Sequence, residues 1–347
     1  LPGEPMHVIQ WISLGDEETA RDNVERYTAV SLYPYPNGQI PIILVSNSGS
    51  LDKEDDFNRT LHAHVKLREL GVINYTEAVD IQDVNESRLK DLSKYADIIA
   101  LARMNLNATA QREEIEKMQR KAESYGFCIK GVMLDDYYYR LDAVKVLSDE
   151  GMEFMMYDSI IPAFDIYYQE GFRRLKVAWY HGEAINLTLL PISLPVIGGP
   201  TYFYGSSYED AWSAVIDAVV KNEGDVCVFL WNSAKAGSPE YISQVMNTVR
   251  YAEMRGMTFT SPDRIAKNFL LLQNVHAVVS EYDNNRIVIS VRNNNKEKIE
   301  GLTFRVRLPE GDWIVRNGYI SRTSPQAYYI STSIAPGETK DIIIERV

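Results

Sequence analysis

Asp135 and Asp136 stand together where the apolar run CIKGVML stops, and Tyr137, Tyr138 and Tyr139 follow at once. Two carboxylates flanking a glycosidic bond, one as acid and one as nucleophile or base, are the working parts of most glycosidases. Neighbouring residues on a strand face opposite ways, so the second carboxylate has to come from elsewhere. Glu77, Asp80, Asp158 and Glu183 lie near other expected strand ends. A purely structural use of the same residues is the more economical one: Asp136 caps the next helix, and Asp135 pairs with Arg140 or Arg103. His181-Gly182-Glu183 follows the run KVAWY and brings an imidazole and a carboxylate out together. That arrangement suits acid–base chemistry, although it is the commoner pattern of a loop hydrogen bond.

Aromatic residues are plentiful, with 22 Tyr and 5 Trp. Tyr137 to Tyr139, Trp179 and Trp231 fall near expected loops, where flat rings with polar tips stack on sugar faces. They suit protein interfaces equally well. His62 and His64 sit two apart on an expected helix, so they point about 200° apart and share no metal from there; they are expected on its surface. His7 and His276 are distant in sequence from the strand ends. The acidic run Asp52, Glu54, Asp55 and Asp56 lacks the spacing of a calcium loop and reads as a helix start. Cys128 and Cys227 lie in apolar runs and read as two buried free thiols. No metal and no cofactor is expected.

Positioning such residues requires strand ends, and the chain supplies them. From Pro41 onward apolar strands alternate with helices: IPIILVS, a helix from Asp55 to Leu70 stopped by Gly71, VINYTEAV, a helix from Glu86, DIIALA, a helix from Ala110 to Ser124, CIKGVML, a helix from Leu141 to Glu150, and MEFMMY. A helical segment is expected over residues 163–169. Alternation of this kind argues for parallel strands with crossover helices, in a barrel or an open sheet. After Phe269 the pattern changes to short alternating strands, HAVVSEYD, RIVISVR, LTFRVRL, YYISTSI and KDIIIERV, parted by Asn-, Gly- and Pro-rich turns.

Within this frame ELGVINYTEAVDI, GFCIKGVMLDDYYYRLDAVKVLSDEGMEFMMYDS, LTLLPISLP, VCVFLW and YISQVMNTVRYAEMRGMTFTSPDRIA resemble successive strands and helices of the polysaccharide deacetylases. The resemblance spans some two thirds of the chain. It implies an irregular (β/α) barrel and, in active members, a divalent cation held by an Asp-Asp after the first strand and a His-x-x-x-His after the third, which polarises an amide. Here the first strand ends Val45-Ser46-Asn47-Ser48 and the third Leu101-Ala102-Arg103-Met104-Asn105. Val132-Met133-Leu134-Asp135 replaces an Arg-x-Pro-Tyr, and Leu230-Trp231-Asn232 replaces a Leu-x-Ile-His. All four diagnostic positions differ.

A formal charge of -12 and a pI near 5.0 oppose attraction to nucleic acid or an anionic membrane surface. No apolar run reaches the roughly 20 residues that cross a bilayer, and LPGEP resembles an opening left by a cleaved leader or trimmed tag. Asn58, Asn74, Asn85, Asn107 and Asn186 begin glycosylation sequons, against about two expected by chance. The expected architecture is α/β: an N-terminal β extension over 1–40 packed on the barrel, a deacetylase-like barrel over 41–270, and an immunoglobulin-like β-sandwich over 274–347. The expected protein is a secreted or cell-surface glycoprotein, non-catalytic, binding glycans or neighbouring cell-envelope proteins and able to form a homo-oligomer. The alternative is an active carbohydrate hydrolase, glycosidase or deacetylase, built on Asp135 or Asp136.

Overall fold

The computed structural model describes residues 29–47, 51–69, 71–72, 74–104, 106–135, 140, 142–158, 174–193, 208–222, 224–233, 235, 238–325 and 327–347. The expected strand over 7–13, the helix over 163–169, Asp136 and Tyr137 to Tyr139 lie outside them. Two compact units emerge: Ile40–Lys267, and the described residues up to Gln39 together with Asn268–Val347.

In the first unit β2 (Pro41–Asn47), β3 (Thr76–Val79), β4 (Asp97–Ala102), β5 (Gly131–Leu134), β6 (Phe154–Asp158) and β8 (Glu183–Ile192) run parallel side by side. β9 (Cys227–Trp231) pairs parallel with the far side of β2. The ring is closed just past β8, where Ser193 N donates to Val228 O at 2.9 Å and Ser193 Oγ donates to Val226 O at 3.1 Å. Seven parallel strands thus form an α/β barrel. β7 (Lys176–Tyr180) adds antiparallel to β8, and β10 (Thr258–Phe259) pairs with the start of β2.

Crossover helices α1 (Glu54–Glu69), α2 (Glu86–Ser93), α3 (Ala108–Ser124) and α4 (Asp142–Asp149), with α5 (Tyr208–Lys221) and α6 (Pro239–Met254), cover the outside. Buried on both faces, β2 reads as an unbroken apolar run, as parallel strands do. Asn85, Asn107 and Ser238 cap α2, α3 and α6 by accepting from backbone N–H groups. Glu54, Asp55 and Asp56 occupy the first turn of α1, where the helix dipole favours carboxylates. The interior is filled low down by Phe154, whose ring would lie 2.3 Å from any Cβ at Gly131. Only glycine fits there.

Cys128 precedes β5 and is exposed, contrary to its expected burial, because the strand starts only at Gly131; Cys227 is buried, and both are free. Among the described residues, no helix is long and apolar enough to cross a membrane.

The second unit, entered through α7 (Pro262–Leu272), holds two four-stranded antiparallel sheets: β1 (Val30–Tyr33), β13 (Ile299–Val306), β16 (Ala327–Ile334) and β15 (Tyr319–Ser324) in one, and β11 (Val275–Tyr282), β12 (Arg286–Asn293), β17 (Thr339–Arg346) and β14 (Trp313–Arg316) in the other. Ile287, Ile289, Phe304, Ile330, Ile342 and Ile344 fill the space between. The expected extension on the barrel is corrected here for its described part. Val30–Tyr33 pairs with Thr303–Val306, and Tyr33 packs edge-on to Tyr329 at 4.8 Å, so this strand completes a sandwich sheet whose edge would otherwise be open.

Candidate functional site at the barrel mouth

Alternation along each barrel strand decides which residues face the helices and which the interior. Ile42 and Leu44 of β2, Ala100 and Ala102 of β4, Val132 and Leu134 of β5 and Phe229 and Trp231 of β9 pack into the helix layer. Continuing the other phase to the C-terminal ends turns Asn47, Asp80, Arg103, Asp135 and Asn232 toward the mouth. Beneath them Leu101 and Leu230 are half-buried, while Ala100, Ala102, Phe229 and Trp231 beside them are buried. Solvent therefore reaches into the top of the barrel, where α/β barrels place their sites.

Asp135 is held as one of its structural readings required. Its Oδ2 lies 3.5 Å from Arg103 Nε, with the two side chains 43% and 61% exposed. The main chains of β4 and β5 continue their pairing here, Asp135 N donating to Ala102 O at 3.0 Å, and Arg103 N donates to Glu114 Oε1 at 3.1 Å. The hydrogen bond and charge of Asp135, followed by Asp80, hold the Arg103 guanidinium firmly cationic. Asp80 Oδ1 accepts from Gln82 N at 2.9 Å, which ties it into a turn of its own. One guanidinium, two carboxylates and two carboxamides thus share an open mouth.

Glu77, another candidate second carboxylate, is elsewhere. It shares a face with Tyr75 and Val79, which pack in the helix layer, and it is fully buried under α1. His64 Nε2 donates to its Oε2 at 2.8 Å, Ser46 Oγ donates to the same oxygen, and Ser233 Oγ reaches both oxygens at 3.4 Å. His64, expected on the helix surface, is instead 0% exposed and stacked on Tyr75 with centroids 4.9 Å apart, while His62 is exposed. The expectation failed because a buried histidine reads as polar until its carboxylate partner, thirteen residues on, is known.

His181 and Gly182, with φ of 48° and 86°, form the two-residue turn between the paired Tyr180 and Glu183. Two positive φ values are what a tight hairpin requires, so the strand end expected to deliver a catalytic pair is a hairpin tip. His181 and Glu183 are exposed, and the Tyr180 hydroxyl donates to Asp142 Oδ1 at 3.3 Å, tying the tip to the first turn of α4. Among the described residues no hydrogen bond or ion pair links His181 or Glu183 to Asp135. Trp179 is half-buried. Trp231 is 0% exposed, its ring 6.1 Å from that of His64; a fully buried indole stacks on no ligand, which corrects its expected binding role. Asp158 ends β6, in register with Ile192.

Of the sequon asparagines, Asn58, Asn85, Asn107 and Asn186 are exposed. Asn74 Nδ2, the atom a glycan would occupy, donates to Phe259 O at 3.2 Å. Asn85 and Asn107 already have a structural use as helix caps.

The described residues of this mouth do not fit a transition-metal centre. Of the chain's five histidines, His7 lies outside the described residues, His62 and His64 are on α1 rather than at a strand end, His181 is on the β7–β8 turn and His276 on β11. Among the described residues no group of three His, Cys, Asp or Glu is placed to hold an ion. At the ends of β2 and β4, where the resemblance implies ligands, stand an amide and a guanidinium that is itself a cation.

No protein-family model matches the chain, and no curated protein does. Solved structures do. A protein assigned as a polysaccharide deacetylase from Mycobacterium smegmatis superposes with a TM-score of 0.54 at 11% identity, over 72% of this chain and 96% of its own. Another so assigned, from Pseudomonas aeruginosa PAO1, gives 0.54 at 10% identity over 68% and 93%. The Puue allantoinase gives 0.53 at 10% identity over 68% and 93%. At such identities the likeness establishes the fold: the α/β barrel is of the polysaccharide deacetylase type.

Proposed function

We propose that this protein binds carbohydrate at the barrel mouth without hydrolysing it through a metal, and that it does so outside the cell or on its surface, among glycans or neighbouring envelope proteins. The observation that carries the reading is the Arg103–Asp135 pair with Asp80 beside it, flanked by Asn47 and Asn232. Planar polar side chains of this kind exchange hydrogen bonds with vicinal hydroxyls, and the half-buried Leu101 and Leu230 offer an apolar floor. The exposed Asn58, Asn85, Asn107 and Asn186 support the location, and a mass loss on enzymatic deglycosylation of native material would test it.

Titration calorimetry with neutral and N-acetylated oligosaccharides tests the binding. Arg103→Ala is expected to weaken it at least ~10-fold, as the loss of a charged hydrogen-bond donor implies. A stoichiometric zinc in the purified protein, with release of acetate from an N-acetylated oligosaccharide, would overturn the proposal. One observation favours a second reading, a glycosidase: Asp80 and Asp135 both act on Arg103 and are two carboxylates at one mouth. Hydrolysis of an oligosaccharide that Asp135→Asn abolishes would establish it.

A further inference from the structure

Glu77 joins three other elements through one carboxylate, and two of its partners adjoin the mouth. Ser46 immediately precedes Asn47 on β2, and Ser233 immediately follows Asn232 beyond β9. Because Ser46 is in register with Trp231, Asn47 and Asn232 are the next neighbours on adjacent parallel strands. With Ser46 drawn outward to Glu77, alternation turns Asn47 inward. Asn232 is further fixed by its own backbone, whose N–H donates to Tyr241 Oη at 2.7 Å, and by its Oδ1, which accepts from Lys235 N at 3.2 Å. Thr60 of α1 meets Ser233 Oγ at 3.3 Å, so that helix grips the same turn.

We propose that Glu77 is a positioning residue for the mouth: through Ser46 and Ser233 it sets the side-by-side carboxamides of Asn47 and Asn232 from behind the barrel wall, and thereby sets ligand affinity. It touches no ligand itself, being fully buried. A buried carboxylate with donors from α1, β2 and the turn after β9 holds geometry as well as stability, since replacing it removes the one acceptor that the three donors share. This rests on the proposed binding role of the mouth, but the positioning itself can be read without any ligand.

The test uses 15N-labelled protein and the side-chain amide signals of Asn47, Asn232 and, as a control in the other unit, Asn293, fully buried in the sandwich. Glu77→Gln cannot accept from all three donors and is expected to move both mouth amides while Asn293 stays. Ser46→Ala is expected to move chiefly Asn47, and Ser233→Ala chiefly Asn232; these two carry the test if Glu77→Gln fails to fold. Affinity for chitotetraose or cellotetraose, by calorimetry, is expected to fall ~10-fold in Glu77→Gln. Mouth amides that stay in place in every folded variant would overturn the inference. If wild type binds neither sugar but the amides shift as described, the binding role falls and the positioning stands.

Discussion

Asp135 and Glu77 are both acidic residues of the barrel's central strands, and the fold treats them oppositely. Asp135, on the interior phase, ends in open solvent with a loosely placed arginine at 3.5 Å. Glu77, on the exterior phase, lies between sheet and helix with every contact supplied by protein. What separates them is phase along the strand, a single residue's worth of alternation, and not proximity to a strand end. Chemistry in such a barrel is therefore assigned by face before it is assigned by residue type.

The sharpest way to break the contrast is to remove each carboxylate in turn. Glu77→Ala leaves a buried imidazole and two hydroxyls facing a void and is expected to cost about 3–5 kcal/mol, as the breaking of buried pairs does. Asp135→Ala removes an exposed pair and is expected to cost less than ~1 kcal/mol. Urea unfolding followed by circular dichroism reads both. Equal losses would mean that the mouth pair is structural and the comparison false.

A smaller effect sharpens the boundary between the filled interior and the open mouth. Gly131→Ala drives a methyl into the Phe154 ring, and overpacking of this kind costs about 1–3 kcal/mol. Combining it with Phe154→Leu is expected to recover part of that loss, because the smaller side chain vacates the space. No recovery would mean that the interior yields by backbone movement instead.

These results also show what the residues disclosed in advance. The strand–helix alternation was legible because parallel strands buried on both faces are unbroken apolar runs, and HAVVSEYD, RIVISVR and KDIIIERV were legible because one-sided strands alternate. The short edge strands β14 and β15 were missed: Trp313–Arg316 and Tyr319–Ser324 are largely polar or exposed and carry little pattern. At the site, Asp135 and its pairing with Arg103 were readable. Asn47 and Asn232 were noticed only as replacements, although counting alternation outward from the interior-facing Val45 and Leu230 would have aimed both at the mouth. His64 and Trp231 were misplaced for one reason: burial of a polar or amphipathic side chain depends on a partner distant in sequence. Neither Glu77 nor Tyr75 announces itself from the helix that carries His64.

The smallest expected effect concerns the opposite end of the barrel, where the same strand that delivers Arg103 to the mouth begins with Asp97. Asp97 is exposed, yet partial desolvation, and then the nearby Asp263 carboxylate, push its carboxyl above its usual range, while the Ser261 hydroxyl and Arg264 pull less strongly the other way. A carboxyl whose folded pKa is raised binds its proton more tightly folded than unfolded. Its contribution is therefore fully present below the ordinary aspartate value near 3.8 and is lost as pH rises through the raised one. At neutral pH the charged form of this carboxyl is therefore less favourable in the folded protein than in the unfolded chain. Asp97→Asn is accordingly expected to raise the melting temperature by about 1–2 °C at pH 7 and to lose that advantage below pH 3.8. Calorimetric scans of both proteins across that window decide it: an equal gain at both ends would assign the effect to amide hydrogen bonding, and a loss at pH 7 would show that Ser261 and Arg264 outweigh desolvation.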